Sequence, residues 1–146
     1  MPALSADRNT PRAEGGIKSL AVGAAKLIYA GALVMRNATG FAVPGAVATT
    51  LIGVGRADER VDNSAGADGD LSVRVRTGVF RFANSAAADA ITAADIGKPC
   101  YAVDDQTVAK TDGTATRSIA GFIFDVDDSG VWVEFDEAKV HAFKGA

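Results

Sequence analysis

The most regular pattern of hydrophobic and polar positions lies between residues 70 and 84. Apolar side chains alternate with polar ones from Leu71 to Val75, which is the period of a strand that buries one face. From Phe80 onward the apolar positions are displaced by one residue, and the displacement coincides with Gly78. Because a bulge or sharp bend often needs the positive φ that glycine tolerates, the pattern predicts one long, bent β-strand that serves two parts of a barrel or sandwich.

Short apolar runs separated by glycines and other turn residues predict further strands along the chain. The last two runs flank the turn sequence Asp-Asp-Ser-Gly at 127–130, so they are expected to form a hairpin. Their apolar character predicts a central position in the fold, because such strands would aggregate if they were exposed. The expected strands cover residues 20–22, 27–29, 32–35, 51–57, 100–103, 107–110, 118–126 and 131–135.

One short helix, of one or two turns at most, is expected in the chain, between Ser85 and Gly97. Thr92 and Asp95 have the spacing of a capping box, and the glycine is a typical helix end. The fold class predicted from these elements is all-β: a compact barrel-like or sandwich domain with one short helix.

Segment 1–16 differs from the rest of the chain in composition. It is polar, contains two prolines and ends in two glycines, so it buries too little apolar surface to order by itself. We therefore predict a flexible N-terminal arm at 1–16, a β-rich domain at 17–136 and a C-terminal tail at 137–146. The arm either has no role or becomes ordered against a neighbouring subunit.

Composition and charge disfavour several functional classes. The 146 residues include 16 glycines, and the 48% hydrophobic fraction is rich in alanine, which suits short strands better than packed helices. A net charge of −3 and a pI near 5.0 disfavour a dedicated nucleic-acid binder. The chain has neither the roughly 18 consecutive apolar residues of a membrane span nor the apolar centre of a signal peptide. The protein is therefore expected to be made and used without export through a membrane.

The best match to a metal site is a partial calcium loop, with Asp125, Asp127 and Ser129-Gly130 followed by Asp136 at the twelfth position. The last position lacks the usual glutamate, and the residues between alternate like a strand. A solvated hairpin turn is therefore favoured, and no metal is expected.

Catalytic motifs are equally weak. Cys100 and His141 are the only cysteine and histidine, which excludes a disulfide framework and a His-rich metal site. Cys100 falls in a predicted strand, where a lone cysteine usually acts as a small buried hydrophobe, and His141 has no evident orienting partner. The Gly53-Val-Gly55 sequence lacks the remaining residues of a phosphate loop. The residues therefore predict no enzyme activity and no cofactor, and they favour a structural or interaction protein.

Candidate contact residues lie in the arm and on the long strand. The strand arginines are expected to form a solvated face or to pair with acidic groups across a subunit contact. Trp132 is assigned to the core in preference to an interface. The candidate contact residues are Leu4, Arg8, Pro11, Arg12, Ile17, Arg74 and Arg76.

Three stretches of the chain together resemble the small capsid decoration proteins of tailed bacteriophages. They are ADIGKPCYAVDDQTV at 94–108, IAGFI at 119–123 and GVWVEF at 130–135. The earlier IGVG at 52–55 and the Val-Arg-Val strand ending at Phe80 also fit, so the resemblance extends over about residues 29–135. The arm has no counterpart in it.

The resemblance implies a β-barrel-like or β-tulip head decoration (cement) protein that stabilises an assembled phage shell. Many copies would bind the outer surface of the virion and bridge subunits of the major capsid protein, after synthesis in the cytoplasm of a bacterial host. Such proteins commonly self-associate as trimers, or sometimes as dimers. No nucleic acid, membrane or cofactor partner is implied.

Two other classes stay open on the sequence. A carbohydrate- or cell-surface-binding β-module would need an exposed aromatic cluster. A small β-barrel enzyme would need a catalytic constellation, which the residues do not offer.

Overall fold

A computed structural model describes residues 3–13 and 15–145; Met1, Pro2 and Glu14 of the predicted arm and Ala146 of the tail lie outside it. The described chain is mainly β, as predicted, with twelve strands and one α-helix. The strands are β1 (Ile17–Ala21), β2 (Lys26–Ile28), β3 (Leu33–Arg36), β4 (Ala42–Pro44), β5 (Ile52–Ala57), β6 (Val61–Asn63), β7 (Ser72–Arg76), β8 (Val79–Asn84), β9 (Pro99–Ala102), β10 (Thr107–Ala109), β11 (Ile119–Asp127) and β12 (Gly130–Glu134), and the helix is α1 (Glu137–Gly145).

The strands form a five-stranded sheet and a closed five-stranded barrel. The sheet has the order β1-β7-β5-β3-β4, the barrel has the order β10-β8-β12-β11-β9, and β2 pairs with β6 alone. A parallel bridge between Val22 and Ala42 joins the chain just after β1 to β4. The two end strands of the sheet therefore approach each other, and the sheet curls towards a second barrel.

The 70–84 stretch connects the two units. It divides at Gly78, whose φ is +148°, into β7 of the sheet and β8 of the barrel, as the displaced alternation predicts. Val73 and Val75 are buried, but the prediction that Leu71 shares their buried face is wrong. Leu71 precedes β7 and is 44% exposed, because it lies beyond the apolar cluster that covers the two valines.

The sheet and the barrel pack against each other at very short range where β5 meets β11. A Cβ added to Gly53 would lie 1.7 Å from the carbonyl oxygen of Ala120, so two backbones are in contact there. The larger of two main apolar clusters spans this junction, since Leu33 and Met35 of β3 belong to it together with barrel residues such as Val131. The second cluster lies within the sheet, around Val73.

The 118–135 hairpin is confirmed as β11 and β12, which contribute inward residues such as Val133 to the barrel core. The register shifts between Ile123 and Asp125, and this bulge leaves Phe124 58% exposed. The apolar side chains of the hairpin are therefore not all buried, in contrast to the central position predicted for both strands.

The short helical segment predicted at 85–97 is present only as 3₁₀ turns, and the α-helix lies elsewhere. Residues 85–97 form two short 3₁₀ turns, Ala87–Asp89 and Ala93–Asp95, and the α-helix is α1 in the segment assigned to the tail. The Asp95 carboxylate does accept a hydrogen bond from the backbone N–H of Thr92, so the capping interaction forms on a 3₁₀ turn. With four residues between its cap, Thr92, and Gly97 at φ +91°, the segment cannot complete α-helical turns.

Helix α1 is stabilised by a few specific side-chain contacts, and the apolar residues of its sequence show no helical periodicity. Asp136 caps it by accepting the backbone N–H of Lys139, and Val140 is fully buried against Phe122 of β11. Glu137 forms two hydrogen bonds, of 3.2 and 3.1 Å, with the guanidinium of Arg36 on β3. The helix therefore connects the sheet to the barrel.

Candidate interaction surface

The outer face of β1 and β7 brings together three of the predicted contact residues. Ile17 lies directly opposite Arg76, and Ser19 lies opposite Arg74, in the antiparallel pairing of the two strands. The alternate residues of β7, the valines, point into the apolar cluster, so both arginines point outward. Ile17 is 39% exposed beside them. We call the outward residues of β1 and β7, together with Arg56 of β5, the basic face.

Two acidic residues just after β5 neutralise part of the basic face. Asp58 accepts a hydrogen bond of 2.9 Å from Arg56 and bonds of 3.4 and 3.2 Å from Arg76. Glu59 accepts the backbone N–H of Arg74 at 3.0 Å and lies 3.4 Å from its Nε. The hydrogen bond from Arg56, supported by Arg76, lowers the pKa of Asp58 below its ordinary value.

The guanidinium groups of the basic face have more donors than these two carboxylates can accept. Asp58 serves both Arg56 and Arg76, and the Nε of Arg56 is buried without a hydrogen-bond partner among the described residues. Arg56 also lies over the ring of Phe80, 4.7 Å from its centroid. Three arginines against two acids leave this face net positive on a chain whose total charge is −3. The face is suited to receive further carboxylates.

Strand β1 is an edge strand of the sheet. The carbonyl of Gly16 accepts the N–H of Thr77, so the alternation of an antiparallel ladder directs the backbone groups of Ile17 and Ser19 away from β7. β4 approaches this side only at the bridge between Val22 and Ala42, just after β1, and no described strand pairs with it along Ile17 and Ser19. The open edge therefore borders the basic face.

The described arm residues, 3–13, lie just before this edge and are all exposed. Leu4 is 72% exposed. Within 3–13 and 15–145, no hydrogen bond or ion pair involves Leu4, Arg8, Pro11 or Arg12. The structure thus places Ile17, Arg74 and Arg76 on one face and leaves the four arm residues without contacts to that face.

Sequence reasoning missed Arg56, Asp58 and Glu59. Arg56 was covered by a predicted strand, and the two acids follow that strand as an ordinary polar turn. Their association with β7 depends on the pairing of Arg56 with Arg76 across 20 positions of sequence. No local pattern carries that information.

The partial calcium loop is a hairpin turn, as favoured from its sequence. The Asp127 carboxylate accepts the backbone N–H groups of Ser129 and Gly130 and the indole N–H of Trp132. These hydrogen bonds, the indole first, lower the pKa of Asp127. Across the described residues, no group of three or more His, Cys, Asp and Glu side chains is placed to hold a metal ion.

The assignment of Trp132 to the core is wrong. It is half-buried on the outer side of β12, while its neighbours Val131 and Val133 point inward. The Arg81 guanidinium lies 5.6 Å from its ring centroid. Trp132 therefore belongs to a surface contact that fixes the hairpin turn.

Cys100 is a small buried core residue, as the sequence predicts. It is fully buried, its Sγ donates to the carbonyl of Gly121 at 3.6 Å, and His141 lies on the exposed side of α1. Burial raises the pKa of the Cys100 thiol to about 12. The thiolate that a nucleophile requires is therefore strongly disfavoured.

We expect Cys100 to resist thiol reagents in the folded protein. A pKa near 12 leaves about a thousandfold less thiolate at pH 8 than a free cysteine has. Labelling with a chromogenic disulfide should be slow in buffer and complete within minutes in urea. Rapid stoichiometric labelling of native protein, with unchanged circular dichroism, would contradict the buried assignment.

Comparison of the chain with protein-family models, with curated proteins and with solved structures finds no match. Among the described residues, no helix has the length and apolar character needed to cross a membrane.

Proposed function

We propose that this protein is a capsid decoration protein, which binds the outer surface of a bacteriophage shell in many copies and bridges subunits of the major capsid protein. The observation that carries the proposal is the exposed arm, attached to an open strand edge beside a net-positive face on an acidic domain. The sequence resemblance over residues 29–135 supports the same class.

The arrangement suits mechanical bridging. A barrel and sheet present one fixed surface, and segment 3–13, when fully extended, would reach about 35 Å at roughly 3.3 Å per residue. One copy can therefore contact two neighbouring shell subunits. Modest contacts repeated at every symmetry-related position add up through multivalency and resist the pressure of packaged DNA. Self-association as a trimer, or as a dimer, would place several arms around one local axis.

Co-sedimentation with undecorated, expanded phage heads tests the proposal. We expect saturable binding near one copy per capsid subunit and heads that withstand higher temperature. Light scattering of the free protein gives its oligomeric state, and a trimer would indicate binding at threefold positions. Absence of saturable binding to heads would overturn the decoration function.

Because the basic face would bind through charge, we expect head binding to weaken as the salt concentration rises. Replacing Arg74 and Arg76 by Gln should weaken head binding about tenfold at low ionic strength and flatten its salt dependence, because their guanidinium groups would pair with shell carboxylates. Folding should change little, since the Arg74 and Arg76 side chains are 64% and 45% exposed and exposed ion pairs contribute little to stability.

Arg81→Gln is the matched control, because Arg81 is also an outward strand arginine but lies on the barrel beside Trp132. It should leave head binding unchanged. Because it removes one charge where the other variant removes two, a loss of half or more of the binding free energy lost by the double variant would show that general charge, and not the basic face, attracts the protein to heads.

A further inference from the structure

An open cleft of about 380 Å³ lies between the turn after β2 and the turn that joins β9 to β10. One wall is formed by residues 29–32 and the other by Asp105 and Gln106. Tyr29 is 53% exposed at this cleft, which makes it one of the few large exposed aromatic side chains. The cleft is separate from the residues that define the basic face.

Backbone hydrogen bonds hold both walls in place. Leu33 donates its N–H to the carbonyl of Asp105 at 2.8 Å, which joins the first wall directly to the second. The Gly31 N–H binds the carbonyl of Ala57, and the Ala83 N–H binds the carbonyl of Gln106. A ligand would therefore meet a cleft that is already formed. Its affinity would lose little to the cost of ordering the protein.

The polar side chains of the cleft are free to bind a ligand. In the described structure, neither the Asp105 carboxylate nor the Gln106 carboxamide forms a hydrogen bond with another protein group. The carboxylate accepts hydrogen bonds from hydroxyl groups, and the carboxamide both donates and accepts them. The Tyr29 ring beside them offers an apolar surface with a polar hydroxyl at its end. An aromatic surface beside a carboxylate and a carboxamide matches the alternating C–H and O–H groups of a sugar ring.

The charges around the cleft are opposite in sign, so together they favour neither a cation nor an anion. Arg60 lies over one face of the Tyr29 ring, with its guanidinium carbon 5.5 Å from the ring centroid, so a ligand would stack on the opposite face, and its positive charge repels a cationic ligand. The Asp105 carboxylate in the opposite wall repels an anionic ligand. A neutral ligand with several hydroxyl groups suits both walls.

We propose that this cleft binds a neutral hexose unit of a carbohydrate, with the sugar stacked on Tyr29 and its hydroxyl groups bonded to Asp105 and Gln106. The inference goes beyond the decoration function: the sugar site itself does not depend on it, and only the gain from many displayed copies rests on it. A single sugar buries little surface on one aromatic side chain, so we expect weak binding, with a Kd of about 1 mM. Many copies displayed on one particle would convert this weak affinity into firm attachment to a glycan-coated surface.

The test is a titration of the full-length ¹⁵N-labelled protein with methyl glucoside, methyl galactoside, methyl mannoside and N-acetylglucosamine, followed by amide chemical shifts. We expect saturable shifts with at least one sugar, confined to the amides of 29–33 and 104–107. Tyr29→Ala should weaken that binding at least about tenfold, and Gln106→Ala should weaken it to a lesser extent. Phe124→Ala, which removes another exposed aromatic side chain on the barrel, should not.

Choline and inorganic phosphate serve as charged probes of the same cleft. Stronger saturable binding of either probe at residues 29–33 would overturn the proposal, and so would the absence of localised shifts with all four sugars. Tyr29→Ala should keep its head binding, so failure of the sugar site and failure of the decoration function give different results.

Discussion

Gly53→Ala should lower the free energy of unfolding by about 3 kcal/mol or more, which is a large share of the roughly 5–15 kcal/mol of a typical domain. The added Cβ would lie 1.7 Å from the Ala120 carbonyl oxygen and 2.8 Å from its Cα. Both obstacles are backbone atoms of β11, and a backbone within a closed barrel cannot rotate aside as a side chain does. The contact between sheet and barrel must therefore open.

Urea denaturation followed by circular dichroism and by Trp132 fluorescence measures this loss. In thermal denaturation, a chain of this size should show a decrease of about 10 °C in Tm. Gly16→Ala is the matched control, because a Cβ there meets no atom within 4 Å and the backbone has no positive φ. It should change the stability by less than about 0.5 kcal/mol. A Gly53→Ala protein as stable as wild type would show that β5 and β11 do not approach as closely as described.

Features encoded within a few neighbouring residues were predictable from the sequence. The displaced alternation around Gly78 marks the passage from sheet to barrel, because a one-residue change of phase exchanges the two faces of a strand. The turn at 127–130 likewise carries its own hydrogen-bonding side chain in Asp127. Both elements were located from sequence to within a few residues.

Features that depend on distant partners were not predictable. Helix α1 contributes one fully buried residue, Val140, and its position depends on Phe122 and Arg36, which are far away in sequence. Gly53 appears in the sequence as one of two glycines in a strand, and only its position over Ala120 shows that no side chain fits. The basic face follows the same rule, since Asp58 reaches Arg76 only after β5 and β7 have paired.

The candidate contact residues fall into two groups for the same reason. Ile17 and Arg76 are cross-strand neighbours, so the fold alone defines their relation. Leu4 and Arg8 are exposed without hydrogen bonds or ion pairs in the described chain, so their relation to a partner is not contained in the fold of one subunit.

Removal of residues 1–13 should weaken head binding about a hundredfold and leave the domain folded. A hundredfold change corresponds to about 2.7 kcal/mol of binding free energy. This is the net gain expected from burial of Leu4 and ion pairs of Arg8 and Arg12, after the entropy cost of ordering the arm is subtracted. Tm should stay within about 2 °C of wild type, because residues 3–13 form no hydrogen bond or ion pair with the described domain. Gly15 and Gly16 are retained, since the carbonyl of Gly16 pairs with Thr77.

Two full-length variants separate the arm's side chains from its length. An arm with 1–13 replaced by glycine and serine should bind as weakly as the deletion, because it pays the same tether entropy without an apolar or charged contact. Leu4→Ala alone should account for part of the loss, as its side chain is the most exposed large apolar group in the described chain. Binding isotherms from co-sedimentation measure each step. A deletion protein that binds heads as tightly as wild type would exclude the arm from the contact and leave the basic face as the docking surface.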